Sequence, residues 1–157
     1  MSHEFQNEYA VITDTSCFIL LNKIDAFPIL NKLYSNILTT TEIAHEFGKP
    51  LPKWIQIRTV SDRTLLANYA EKVDIGEASA IALAMELSSP LLILDDLKGR
   101  NLASQLNLKY TGTLGILILA KQQGIIPMLK PYFERIKLTD FRVSLTLLQT
   151  ILEASGE

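Results

Sequence analysis

Two short apolar runs stop directly at acids: Ala10-Val11-Ile12-Thr13 leads into Asp14, and Leu91-Leu92-Ile93-Leu94 into Asp95-Asp96. Runs of this length suit buried strands better than buried helices. The rest of the chain alternates strand-like and helical patterns, and strands joined through helices pair in parallel with both faces of the sheet covered. The pattern predicts strands over residues 9–13, 37–40, 91–94 and 108–110, with 54–60, which alternates apolar and polar residues, as an extra edge strand. It predicts helical pieces over 18–21 and 27–33, with Asp25 as a cap, and helices over 42–47 (stopped by Gly48), 65–69, 76–87, 99–106, 114–123 (closed by Gly124), 128–136 and 143–153. The helix over 76–87 is apolar nearly all round and therefore buried. In the last helix Val143, Leu147, Leu148, Ile151 and Leu152 form one face. The expected fold is a three-layer α/β/α sandwich around a parallel sheet of about four to five strands, as a single domain over residues 1–157.

Composition agrees. Of 157 residues, 48% are hydrophobic and 20% charged, which builds a packed core and not a disordered chain. Cys17 is the one cysteine, so no disulfide forms within the chain and the cytoplasm is the expected location. The first residues, Met1 to Glu8, are polar, with no leader pattern, and no apolar run reaches membrane-spanning length. The net charge of −2 argues against a nucleic-acid partner only while all acids are counted alike. With Asp14, Glu46, Glu77, Asp95 and Asp96 set aside as a metal site, the 15 basic residues outnumber the remaining acids, a balance that permits RNA binding.

Ligands of open parallel sheets bind beyond the C-terminal strand ends, where strand order reverses. If the two acid-tipped strands are central neighbours, Asp14, Asp95 and Asp96 converge there. Glu42 and Glu46, one helical turn apart, and Glu77, in the first turn of its helix, can join them. Packing has no need of such a cluster, and crowded carboxylates call for a cation. Oxygen donors without paired cysteines suit Mg²⁺ or Mn²⁺, not Zn²⁺. Each acid also has a plain reading. Thr39-Thr40-Thr41-Glu42 fits a capping box, which favours Glu42 as a helix-start residue. Asp74-Ile75-Gly76-Glu77 has the same spacing, and Asp14, Asp95 and Asp96 each precede a helix they can cap. Cys17 reads as core, His45 as surface, and Trp54 as core or interface before base stacking.

Four segments together resemble the PIN-domain family: Val11-Ile12-Thr13-Asp14-Thr15-Ser16, Thr41-Glu42-Ile43-Ala44-His45-Glu46-Phe47, Gly76-Glu77-Ala78-Ser79-Ala80-Ile81-Ala82-Leu83-Ala84, and Leu92-Ile93-Leu94-Asp95-Asp96-Leu97-Lys98-Gly99-Arg100. Thr111-Gly112-Thr113-Leu114-Gly115 completes a pattern similar to one largely uncharacterised prokaryotic subfamily. The resemblance runs from about Ala10 to the C-terminus. It implies a compact α/β/α sandwich and Mg²⁺- or Mn²⁺-dependent cleavage of RNA, in many small members as the toxin of a VapBC-type toxin–antitoxin pair, commonly dimeric. By motif position Asp14, Glu46, Glu77 and Asp96 match the family acids, with Asp95 beside them as a further metal ligand. Ser16 matches a small hydroxyl residue near the metal. Two departures stand out: Leu94 occupies a position where many members have Thr, and Glu77 one where many have Asp.

The expected reaction is hydrolysis of an RNA phosphodiester, with Lys98, Arg100, Lys121 and Thr113 as candidate substrate contacts. Plain surface and capping roles compete for all four. A rival reading is a PIN-like module that has lost catalysis and binds RNA or protein. A second, a phosphatase with Asp14 as nucleophile, wants another acid two residues on, where this chain has Ser16.

Overall fold

The computed structural model describes residues 9–157; the polar stretch over 1–8 lies outside the described residues. Five strands form one all-parallel sheet: β1 (Val11–Thr13), β2 (Ile37–Thr40), β3 (Ile55–Arg58), β4 (Leu91–Ile93) and β5 (Lys109–Thr111). The order is β3-β2-β1-β4-β5. The two acid-tipped strands are thus central neighbours, in register Val11 to Leu91, Ile12 to Leu92 and Thr13 to Ile93. Strand order reverses between them, since β1 leads to β2 on one side while β4 and β5 lie on the other. The run over 54–60 forms β3 on the sheet's edge, as its alternation predicted; Ile55 is buried and the next three residues are exposed.

The helices are α1 (Thr15–Lys23), α2 (Phe27–Leu33), α3 (Thr41–Phe47), α4 (Arg63–Ala70), α5 (Ile75–Met85), α6 (Leu97–Gln105), α7 (Thr113–Gln122), α8 (Lys130–Lys137) and α9 (Leu145–Ala154). Helix α5 packs against β1, β2 and β4, with α4 alongside it, while α7 meets α1 and α2. Sheet and helices make the three-layer α/β/α sandwich expected. The core gathers around Phe18, Phe133, Ile12, Leu21, Leu92 and Ile93, all fully buried. In α5 every residue from Gly76 to Ala84 is buried, as a helix apolar all round requires. No helix among the described residues is long and apolar enough to cross a membrane.

Local chemistry sets the boundaries. Helix α1 begins well before residue 18, because Asp14 accepts from the backbone N–H of Cys17 and caps it there. Asp25 is not a cap: Ala26 stands at the N-cap of α2, and Asp25 has φ +54°. Gly48 ends α3 with φ +70°, a conformation open to glycine. The last helix starts at Leu145, after Val143, and buries Leu148 and Leu152 but leaves Leu147 47% exposed. The apolar face read from the sequence therefore divides between the core and an open cleft.

Candidate metal centre

Three helices that start at the C-terminal edge of the sheet are capped by aspartates. Asp14 caps α1, Asp74 caps α5 through the N–H of Glu77 (2.9 Å), and Asp96 caps α6 through the N–H of Lys98 (3.1 Å). The capping readings are thus correct for all three, and the caps are also what fixes these carboxylates near one another. Asp14 is 2% exposed. One of its oxygens accepts from Cys17 N at 2.9 Å, and the other lies 3.4 Å from the N–H of Asp95. Burial first, then the charge of Asp95, pushes its carboxyl from 3.8 up to about 7, against the opposing pull of the two N–H donors. Glu77, 6% exposed, is raised from 4.5 to about 8 by burial and by the charges of Asp74, Asp96 and Asp14. Among the described residues, none of Asp14, Glu46, Asp74, Glu77, Asp95 and Asp96 is in an ion pair.

Two glycines let the acids approach. A Cβ on Gly76 would sit 3.1 Å from Glu46 Oε2, 3.5 Å from Thr15 Oγ1 and 3.6 Å from Asp74 Oδ1. Glu46, from the second acidic segment, therefore reaches the start of α5. A Cβ on Gly99 would meet Glu77 Oε2 at 3.0 Å, so Glu77 extends across to α6. The Thr15 hydroxyl is buried and has no hydrogen-bond partner among the described residues. A buried hydroxyl of this kind normally has a protein or solvent partner.

The remaining candidates divide. Glu42 stays apart from the acids and pairs with Arg63 at 3.2 Å. The cap of α3 is Thr40, while the Thr39 hydroxyl donates to the Thr13 carbonyl, so the box from Thr39 to Glu42 does not form. Asp95 uses both oxygens on Thr113, one accepting its N–H at 2.8 Å and the other its hydroxyl at 2.6 Å. Ser16 and Lys98 are exposed. Arg100 is tied down: its Nε donates to the Leu94 carbonyl at 2.7 Å and its guanidinium lies over the Tyr110 ring. Lys121 pairs with Glu157 at 2.6 Å. Cys17 is buried and free, its thiol pushed up by burial and by the charges of Asp95 and Asp14. His45 is exposed, and Trp54 packs edge-on against Phe27.

A family model described as a PIN domain matches residues 10–157. The chain belongs to the PIN-domain family. This family is often enzymatic, and its members often use divalent metals. No curated protein matches the chain. The glycines of the PIN-domain segments have steric reasons here: a Cβ on Gly112 would collide with the Arg100 guanidinium and lie 2.8 Å from Asp95 Oδ1, and one on Gly115 would strike the Thr111 hydroxyl.

Whether this PIN domain suits a divalent ion has two answers. The donor chemistry suits one: hard oxygens, crowded charges and a partnerless buried hydroxyl. The side-chain positions do not close a coordination set, for among the described residues no group of three or more His, Cys, Asp or Glu could hold a metal ion as they stand. Asp74 is the member that sequence reasoning overlooked. Its cap spacing to Glu77 was visible, but its effect on the Glu77 carboxyl comes from the turn that brings it beside Gly76.

Proposed function

We propose that this PIN domain is an Mg²⁺- or Mn²⁺-dependent ribonuclease, with Asp14, Glu46, Glu77 and Asp96 as its metal-binding and catalytic acids. The observation that carries the reading is the buried Glu77 carboxyl, raised by its burial and by the charges of Asp74, Asp96 and Asp14, while among the described residues no basic residue is paired to any of these acids. Buried anions left without a counter-charge are costly, and a divalent ion relieves that cost directly. Glu46 and Asp96 are exposed, so an arriving ion can reach them from solvent. Such an ion, when bound, neutralises charge at the scissile phosphate and acidifies water. The chain's own contribution is positional. Asp14 is held by two N–H donors, and Asp95 ties the end of β4 to the start of α7 through Thr113 instead of serving as a direct ligand. Ser16, Lys98, Arg100 and Thr113 remain the substrate-side candidates, Arg100 and Thr113 through the groups they fix.

The side-chain positions taken as they stand favour a second reading more directly. With no three-acid group among the described residues able to hold an ion, the chain would be a PIN-like module that binds RNA or protein without cleaving. Calorimetric titration with Mn²⁺ separates the two. The ribonuclease predicts binding that Asp14→Asn weakens at least ten-fold, together with cleavage of single-stranded RNA that EDTA abolishes. Absence of Mn²⁺ binding, or cleavage indifferent to EDTA and to Asp14→Asn, removes that reading. A single domain acting in the cytoplasm as a VapC-like toxin, with an antitoxin partner and a homodimeric state, belongs to the same proposal. Mass measurement in solution and the neighbouring reading frame test those parts.

A further inference from the structure

Beside the acids, on the β5 side, lies a cleft of about 550 Å³. Its lining includes Asp95, Arg100, Tyr110, Phe141, Arg142 and Leu147. We propose that this cleft takes one unpaired nucleotide of a single-stranded RNA, its base against the Tyr110 and Phe141 rings and its phosphate on Arg142. The proposal rests on the reading that RNA is this protein's substrate, and adds where on the protein one of its nucleotides sits.

The volume falls in the range of small-ligand sites, enough for a nucleotide. The place follows from Asp95, which lines the cleft while its backbone N–H faces Asp14, so an occupant here lies next to the acidic pocket. The chemistry is that of single-strand binding, aromatic rings for bases beside cations for backbone. Arg100 covers the Tyr110 ring at 5.4 Å from its centroid and is anchored to the Leu94 carbonyl, which fixes the ring while leaving it 37% exposed. Arg142 differs. It is exposed and, among the described residues, has no hydrogen bond or ion pair.

Arg142 also borders a second, smaller cleft that contains Ser16. A phosphate held by Arg142 would therefore stand between two clefts, one bordered by Asp95 and the other by Ser16. Among the described residues Asp95 is the one anion lining the larger cleft. Its oxygens are held by Thr113, and its negative charge repels a phosphate toward the Arg142 side. Duplex RNA presents paired, stacked bases and cannot insert one here.

The test measures fluorescence anisotropy of a labelled single-stranded RNA and of its duplex with the full-length protein in EDTA. Arg142→Ala and Tyr110→Leu should each weaken single-strand binding about ten-fold, with duplex binding little altered. Mn²⁺ affinity by calorimetry should be unchanged, because neither residue belongs to the acid set. Wild-type affinity in both variants overturns the proposal, as do equal losses on single strand and duplex, which would mean phosphate attraction alone. The two readings also fail separately. RNA cleaved with Mn²⁺ but bound normally by both variants sinks the cleft alone. Variants that lose single-strand binding while the wild type cleaves nothing support the cleft and sink the ribonuclease alone.

Discussion

Thr113 satisfies both carboxylate oxygens of Asp95, its N–H at 2.8 Å and its hydroxyl at 2.6 Å. The start of α7 is thereby joined to the end of β4, one residue from the capping acid of α6. Thr113 is itself fully buried.

Thr113→Val keeps the N–H bond and removes the hydroxyl bond. Loss of a hydrogen bond to a charged group should cost about 2 kcal/mol. Urea unfolding followed by circular dichroism would show the midpoint fall with an unchanged slope. A midpoint equal to the wild type would mean that the hydroxyl adds nothing to the lock.

The raised carboxyls of Asp14 and Glu77 make stability depend on pH with a definite sign. The folded chain holds these protons up to about 7 and about 8, whereas the unfolded chain releases them near 3.8 and 4.5. Their contribution is complete below the unfolded values and is lost as pH rises through the folded ones. In EDTA the melting temperature should therefore decline from about pH 5 to about pH 8. Asp14→Asn should flatten that decline and melt higher than the wild type at the alkaline end. A steep decline retained in the variant would argue against Asp14 as its source.

Mn²⁺ should act in the opposite sense on the same curve. An ion that binds the folded chain alone stabilises it by about 2.7 kcal/mol at a hundred times its dissociation constant. It competes with protons, so the gain in melting temperature should be larger at about pH 8 than at about pH 6. A gain of equal size at both values would place the ion away from these acids.

Gly99→Ala separates geometry from stability. Alanine is favoured over glycine within a helix by about 1 kcal/mol. The new Cβ, however, would stand 3.0 Å from Glu77 Oε2 and 3.3 Å from Glu77 Cδ. The variant should melt within a few degrees of the wild type yet lose Mn²⁺ affinity, because Glu77 must rotate away. Unchanged affinity would take Glu77 out of the ligand set.

Glu157 works as a clamp. Its carboxylate accepts from the N–H groups of Leu129 and Lys130 and from the Lys121 ammonium. Burial alone would raise it, but these donors outweigh burial and hold it at about 2. Glu157→Ala should lower stability by about 2 kcal/mol at neutral pH. The loss should shrink as pH falls from 4.5 through about 2, where the wild-type clamp is itself protonated. Chemical unfolding at two pH values would show whether the difference narrows.

Much of this was legible in the chain. Apolar runs tipped by acids marked β1 and β4, because a strand in a covered parallel sheet is apolar throughout and turns polar only where it emerges. Glu46 was separable from Glu42, since the residue beside the helix start had a plainer role there. Other features depended on what the fold brings from a distance. The partner of Asp95 is a threonine 18 residues away, and nothing in the run Leu94-Asp95-Asp96 tells which carboxylate will face it. Arg142 carried no signal because its meaning is positional: it lies in a short segment before α9 that the topology lays across two clefts. Leu147 followed the apolar period of its helix, yet the helix begins late and rests at the rim of a cleft.

The pairing of β1 with β4 has a consequence for synthesis. Asp95 donates to Asp14 across 81 positions of chain, and no shorter segment contains both. A polypeptide emerging from the ribosome keeps its first acid without the others until the central strand has been delivered and docked. Nascent and truncated products that stop short of residue 95 are thereby barred from bringing these acids together.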